Sequence, residues 1–243
     1  MTPDPLELTL PTIYENLALD EALLVDADER DGPPVMRFWE QRDQAVVLGS
    51  SRRLAEEVDV GRCREDGVAI ARRASGGGTV LVGPGALSVT FVLPTDFAPE
   101  MATVDGAQAY VLGRVAEALR GQGPAVEVRG SGDLAIGGRK FSGSAQRRLR
   151  RRVLVHASIL YDLPIGRVAR YLRAPGRQPA YRGGRGHEAF LMNVPLRRRI
   201  LIESIRSAWS PPTLLTTTSD VPQDLLETLL VEKFSNRSWI ERL

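Results

Sequence analysis

Soft and reactive side chains are scarce in this chain: its 243 residues include one cysteine, Cys63, and two histidines, His156 and His187. A lone cysteine forms no internal disulfide, which fits a reducing, cytoplasmic setting. One cysteine and two histidines also fall short of the four soft ligands of a structural zinc site. No apolar run reaches the roughly 18 residues of a membrane span. The acidic, proline-containing start from Met1 to Glu7 has neither the basic region nor the apolar stretch of a signal peptide. Aromatics are only 6% of the chain, and none interrupts the arginine-rich run from Arg147 to Arg152. Nucleic-acid binders that stack bases need such interleaving. Neither a membrane nor a nucleic acid is therefore an expected partner.

Lysine is the next shortage. Of 32 basic residues only Lys140 and Lys233 are lysines, so a lysine inside a motif marks a place that needs a compact ammonium rather than a planar fork. Lys233 lies in a C-terminal amphipathic stretch and reads as solvated. The formal net charge of +2 conceals an asymmetry: residues 1–125 carry −9 and residues 126–243 carry +11. The basic half either attracts an anionic ligand, such as a nucleotide or an acidic protein, or reflects arginine decorating a solvated face.

The rest of the pattern is that of one soluble unit, with 43% hydrophobic and 26% charged residues. Apolar spacing predicts an opening helix over Thr12–Asp28, then strands over Val35–Trp39 and Ala45–Leu48. A polar helix over Leu54–Asp66 is expected next, with a strand over Val68–Arg72. Strands follow at Thr79–Val82 and Leu87–Leu93, before a long helix over Val104–Arg120. A meander is expected from Val126–Val128, Asp133–Ile136, Lys140–Arg147 and Val153–Tyr161, with Gly137–Gly138 at a turn. Helical spacing returns at Arg167–Leu172, Arg198–Trp209 and Gln223–Phe234. Ser219 or Asp220 would cap the last of these, and Pro222 suits its first turn. The stretch Ser210–Thr218 is the one expected hinge. The expected class is α+β, a mixed and mostly antiparallel sheet flanked by helices, in a single domain over 1–243.

Two segments carry chemistry. In Arg72-Arg73-Ala74-Ser75-Gly76-Gly77-Gly78-Thr79, successive glycines bare backbone N–H groups that can wrap a phosphate or carboxylate, with arginine charge beside them. The run lacks the Gly-Lys-Ser/Thr of a Walker loop and the spacing of a dinucleotide fold, and a plain turn is the alternative. The second segment, Asp133 to Gln146, joins a carboxylate, a hairpin turn, Lys140 and the small residues Ser142, Gly143, Ser144 and Ala145. A period of two puts Lys140 and Ser142 on one face and Phe141 on the other. Lys140 can bind a carboxylate or phosphate, and Asp133 can hold Mg²⁺ or pair with the lysine. A solvent-facing hairpin with an ordinary lysine is the bland alternative.

Taken in order, Asn16–Glu21, Val46–Gly49, Arg72–Val80, Asp133–Gln146 and Val155–Leu160 resemble the catalytic domain of lipoate-protein ligases, shared with octanoyltransferases and biotin-protein ligases. The resemblance implies a biotin/lipoate-ligase-like fold. It further implies that ATP activates lipoic or octanoic acid to an acyl-AMP, which is passed to a lysine of an acceptor lipoyl-domain protein. Lys140 would hold the acyl carboxylate and adenylate. Ser75, Gly76, Gly77 and Gly78, with Arg72 or Arg73, would line the acyl and nucleotide site beside Thr79. Ser142, Gly143, Ser144, Ala145 and His156 would border the acid, and Asp133 would lie near the Mg²⁺-nucleotide. His156 in its strand can equally be a packing residue.

Three departures from the family pattern stand out: Gly132 replaces a polar residue before the motif aspartate, Val82-Gly83-Pro84-Gly85 replaces a His-Asp pair, and the accessory domain of larger ligases is not expected here. A separate accessory subunit is therefore a candidate partner. The Gly/Arg-rich loop Arg182–Glu188, with Arg185, is expected to close over the nucleotide or grip the acceptor. The rival reading is ATP-independent octanoyl transfer from acyl carrier protein, which would draw on an activated thiol. Cys63 falls outside the motifs and reads as a structural or surface thiol. A non-catalytic acyl-binding module is the remaining alternative.

Overall fold

The computed structural model describes residues 6–209 and 221–243. The hinge expected at 210–218 and the caps expected at Ser219 or Asp220 lie outside them. A seven-stranded sheet has the order β1-β2-β6-β10-β9-β8-β7, built from Leu6–Glu7 (β1), Val35–Trp39 (β2), Ala86–Pro94 (β6), Arg152–Leu160 (β10), Arg139–Arg148 (β9), Asp133–Ile136 (β8) and Glu127–Arg129 (β7). All its pairs are antiparallel except β1 with β2. A second sheet of three strands, β4-β3-β5, comprises Ala45–Leu48 (β3), Ala69–Arg72 (β4) and Val80–Val82 (β5). The expected mixed, mostly antiparallel α+β architecture is what forms.

Central β6 is buried at eight of its nine positions, so its run Ala-Leu-Ser-Val-Thr-Phe-Val-Leu shows no alternation. The large sheet is covered on both faces. On one lie α4 (Val104–Arg120) and α7 (Arg198–Ser207), whose Val111, Val115 and Leu201 meet Phe91, Phe141 and Trp209. Phe91 and Trp209 stack with centroids 4.7 Å apart. On the other face lie α1 (Ile13–Arg30), the small sheet and α8 (Gln223–Leu229), sharing a core of Leu17, Val47, Val82, Trp39 and Leu226. Each such side chain contributes about 1.5–3 kcal/mol when fully buried. Helix α1 starts on a capping box, with Thr12 accepting from Glu15 N and Glu15 accepting from Thr12 N.

Several expectations are corrected. The helix expected over 54–66 is two, α2 (Leu54–Glu57) and α3 (Val60–Glu65). Between them Val58 turns extended to bridge Leu172, and Asp59 caps α3 by accepting from Arg62 N. Of the two readings of Cys63, structural or surface thiol, burial selects the first. The arginine run at the β9–β10 turn is mostly bound to protein. Arg151 donates to the carbonyls of Asp28 and Glu29 in the last turn of α1, and Arg152 to that of Gly32. Arg148 donates to Met101 O. The Arg151 contacts fall on helix carbonyls that lack partners, Arg147 donates to Ala74 O, and Arg150 has no protein partner among the described residues.

The C-terminal helix begins after Pro222, which occupies the cap position, and its last turn, Leu230–Phe234, widens to a π-turn. Lys233 is not solvated: its ammonium is 2.6 Å from Glu21 Oε2 and 4.4 Å from the Trp239 ring centroid. Short helices α5 (Val168–Tyr171), α6 (His187–Phe190) and α9 (Arg237–Ile240) complete the described residues, and the last two had no strong periodic signal. None of the helices described is long and apolar enough to cross a membrane.

Candidate functional site

The site follows from a one-residue irregularity in β9. Ala135 pairs with Lys140 but Leu134 pairs with Ser142, so Phe141 is an extra residue, a β-bulge. The bulge overturns the expected alternation. Phe141 and Ser142 both turn inward, 0% and 1% exposed. Lys140 instead shares a face with Asp133 and Gly143, and its Nζ is 2.6 Å from Asp133 Oδ1. The side chain lies across Gly143, where any Cβ would stand 2.6 Å from Nζ. The other Asp133 oxygen, Oδ2, accepts from the Tyr181 hydroxyl at 2.8 Å. Burial and the Asp133 charge push the Tyr181 phenol up, so it stays protonated and donates.

Lys140 stands at the junction of two cavities. The larger, about 730 Å³, is bordered by Gly77, Gly78 and Thr79, by Asp133, by Ser142, Gly143 and Ser144, and by residues 177–180, Arg182 and Phe190. The smaller, about 120 Å³, runs between the two sheets. Its floor is a row in register across four strands: Gly143, Ser158, Ser88 and Trp39. Arg73, Ala145 and His156 border it, and Leu17, Val47 and Val82 give it apolar walls. The hydroxyls of Thr79 and Ser142 are buried without a partner among the described residues.

The glycine turn is held by buried polar side chains. Arg73 donates to Gly76 O at 2.5 Å and to Gly78 O at 2.8 Å. Burial brings its pKa down to about 10, still charged at neutral pH. Gly77, at φ +87°, lies so close that a Cβ would be 2.8 Å from that guanidinium. Arg73 Nε also donates to Ser75 Oγ at 3.0 Å, leaving the serine proton for His156 Nε2, 2.6 Å away. The imidazole proton then sits on Nδ1, 3.5 Å from Asp20 Oδ2. Asp20 itself pairs with fully buried Arg37 at 2.6 Å and accepts from Thr90 at 2.9 Å. Burial raises the Asp20 pKa, but Arg37, His156 and Thr90 outweigh it and the net shift is downward.

The expected site residues thus divide. Lys140, Asp133, Arg73, Gly77, Gly78, Thr79, Ser142, Gly143, Ser144, Ala145 and His156 converge on the two cavities. Ser75 borders neither and meets the smaller cavity through its hydrogen bonds with Arg73 and His156. Arg72, Gly76 and Arg185 border neither cavity. Arg72 is buried behind the turn and donates to the carbonyls of Gly49, Arg52 and Ile240, tying down α9. Arg185 donates to Gly138 O and Tyr181 O, bracing its own loop. Tyr181, Arg182, Trp39, Ser88 and Ser158 were not singled out as site residues from the sequence. The Arg182–Glu188 segment was visible as a motif, but which of its side chains borders the cavity depends on packing.

Cys63 borders neither cavity, and burial with Asp59 and Asp66 nearby raises its thiol to about 11. No group of three or more His, Cys, Asp or Glu side chains gathers to hold a metal among the described residues. A Mg²⁺ held by one carboxylate together with substrate phosphates needs no such cage, and Asp133 fits that donor set.

The family model for the lipoyl protein ligase A/B catalytic domain matches residues 12–206. A probable lipoate-protein ligase A of Mycoplasma pneumoniae is 30% identical over 181 residues, which are 74% of this chain and 52% of that protein. An octanoyltransferase of Moorella thermoacetica is 30% identical over 169 residues, 62% of each chain. This chain therefore spans about half the length of the Mycoplasma ligase. Among solved structures, the bipartite lipoate-protein ligase of Thermoplasma acidophilum, described with its E2 lipoyl domain, superposes with a TM-score of 0.83 at 22% identity, covering 99% of this chain and 96% of that one. A lipoate-protein ligase A crystallised with ATP gives 0.83 at 22% identity, covering 100% of both chains. At that identity the likeness shows the fold.

Proposed function

The chain belongs to the family of lipoyl protein ligase A/B catalytic domains, and from that premise we propose that it joins a medium-chain acid, lipoate or octanoate, to a lysine of an acceptor lipoyl domain at the expense of ATP. The observation that carries the reading is Lys140 at the mouth of a narrow apolar slot and on the wall of a larger polar cavity. Strands lie about 4.8 Å apart, so the floor from Gly143 to Ser88 is about 10 Å long. An extended eight-carbon acid, advancing about 1.3 Å per bond, measures about 9 Å. The acyl chain lies along that row with its carboxylate at Lys140, and the nucleotide occupies the larger cavity.

A carboxylate oxygen attacks the α-phosphorus of ATP, and pyrophosphate leaves. The acceptor amine then attacks the acyl carbon and loses a proton as AMP leaves. Lys140 and the N–H groups of the glycine turn meet the charge that develops at both steps, and fixed alignment supplies much of the acceleration. Asp133 would hold Mg²⁺, which neutralises phosphate charge when bound. His156, kept as the Nδ1–H form by Asp20, borders the acid and orients Ser75 behind the turn.

Lipoate and octanoate ligation is tested with purified protein, ATP, Mg²⁺, the acid and a lipoyl domain. The expected outcome is pyrophosphate release and an acceptor heavier by one acyl group, both lost in Lys140→Ala. ATP-independent acylation from octanoyl carrier protein would select the transferase instead, a route for which the site offers no thiol. Turnover without a second polypeptide would show that this single catalytic domain needs no accessory subunit.

A further inference from the structure

We propose that Arg182 is the phosphate-binding residue of the larger cavity, placed to grip a phosphate of the ligand that activates or carries the acyl group. The inference rests on the functional reading above and names a residue for it. Arg182 is 6% exposed and borders the cavity. Its Nε donates to Arg185 O at 2.8 Å, and its guanidinium lies over the Phe190 ring, 4.8 Å from the centroid. Stem and plane are thereby fixed. Neither terminal nitrogen meets an acceptor, and no carboxylate comes within ion-pair distance among the described residues.

The terminal nitrogens of the other buried arginines all meet acceptors, those of Arg152 at Arg151 O, Gly32 O and Asp31, although its Nε has no partner among the described residues. Arg37 is paired with Asp20, and Arg72 and Arg73 spend their terminal nitrogens on carbonyls. On the cavity wall itself Arg52 is paired with Glu57, while Arg173 and Arg177 are exposed. Asp133, the near carboxylate, already serves Lys140 and Tyr181. Arg185, whose guanidinium lies over the same Phe190 ring, adds like charge beside Arg182. A buried cation with two free donors and a cationic neighbour is complete only with an anion. The fork matches two oxygens of one phosphate.

Two ligands bring such a phosphate to this position: a nucleoside triphosphate, and the phosphopantetheine arm of an acyl carrier protein. Arg182→Met keeps an apolar stem over Phe190 and removes the charge; Arg182→Lys keeps a point charge without the fork. The full chain and both variants are titrated with ATP and, separately, with octanoate by calorimetry. Transfer from octanoyl carrier protein is measured alongside, with melting temperature as the folding control. Arg182→Met is expected to weaken ATP binding about 10- to 100-fold, the worth of charge-assisted hydrogen bonds to one side chain. Octanoate binding should change less than about twofold, and the lysine variant should recover only part of the loss. A rise in carrier-protein KM with ATP binding untouched identifies the phosphate as phosphopantetheine and also supports the assignment. A folded Arg182→Met with both parameters unchanged overturns it. If the unaltered protein binds neither ATP nor octanoate and takes no carrier substrate, the functional reading falls, and the role of Arg182 with it.

Discussion

Gly143→Ala separates the pose of Lys140 from its mere presence. A Cβ at this position would lie 2.6 Å from Lys140 Nζ and 2.9 Å from Cε, and 3.7 Å from Asp133 Oδ1. Non-bonded carbon contacts settle near 3.5–4.0 Å, so the ammonium must retreat by about 1 Å. The retreat costs the fold little, because the displaced atoms are the far end of a flexible side chain. Gly143 has no positive φ, and Gly→Ala at a compatible backbone stabilises by about 0.4–1 kcal/mol through the unfolded chain. The same retreat breaks the 2.6 Å contact with Asp133 and moves the charge off the reacting carboxylate. Misplacement by about 1 Å costs on the order of 100-fold in rate. The expected variant therefore melts no lower than the parent yet releases pyrophosphate about 100-fold more slowly with saturating acid and ATP. Parent-like kcat/KM in a folded Gly143→Ala protein would refute the role given to Lys140 in this pose.

Two further outcomes follow from the buried groups. Asp20→Asn leaves the fully buried Arg37 without its counter-ion and should cost about 3–5 kcal/mol in urea unfolding; a loss below about 1 kcal/mol would refute the ion pair's structural role. Because the folded Asp20 pKa lies below its unfolded value, this stabilisation is present above about pH 4 and fades as pH falls through the acid range, an effect the Asn variant should lack. Cys63, with its thiol raised to about 11, should resist alkylation of the native protein at neutral pH, and Cys63→Ser should retain full activity; loss of turnover on substitution would bring the thiol back into the chemistry.

The elements legible in the sequence were those whose signal is local. Val35–Trp39, Ala45–Leu48 and Val104–Arg120 form as their periodicity indicates. The helix break at Val58 was hidden because its cause is a bridge to Leu172, far along the chain. Lys140 stood out by rarity and by its motif, whereas the reversal of Ser142 depends on a bulge that no period reveals. The arginines show the limit most sharply. Arg72 and Arg73 are neighbours on one motif, but only Arg73 faces the turn, while Arg72 holds α9. Arg182 and Arg185 likewise share one loop, and it is Arg182 that borders the cavity with its terminal nitrogens unpartnered among the described residues, while Arg185 donates to the Gly138 and Tyr181 carbonyls. Composition cannot separate such pairs.

The extra residue at Phe141 makes the spacing of the lysine motif behave like a reading frame. Deleting one residue between Lys140 and Gly143 would leave the motif's chemistry nearly intact on paper. It would also rejoin the two strands in regular alternation, so the residues on one side of the deletion would exchange faces relative to the other. Lys140 would then point toward the layer of α4, away from Asp133 and the glycine turn, in a sheet otherwise able to pair. Natural or engineered variants should therefore keep the count of residues from Lys140 to Gly143, while the turn at Gly137–Gly138, both at positive φ, keeps glycine or a residue such as asparagine that accepts that conformation.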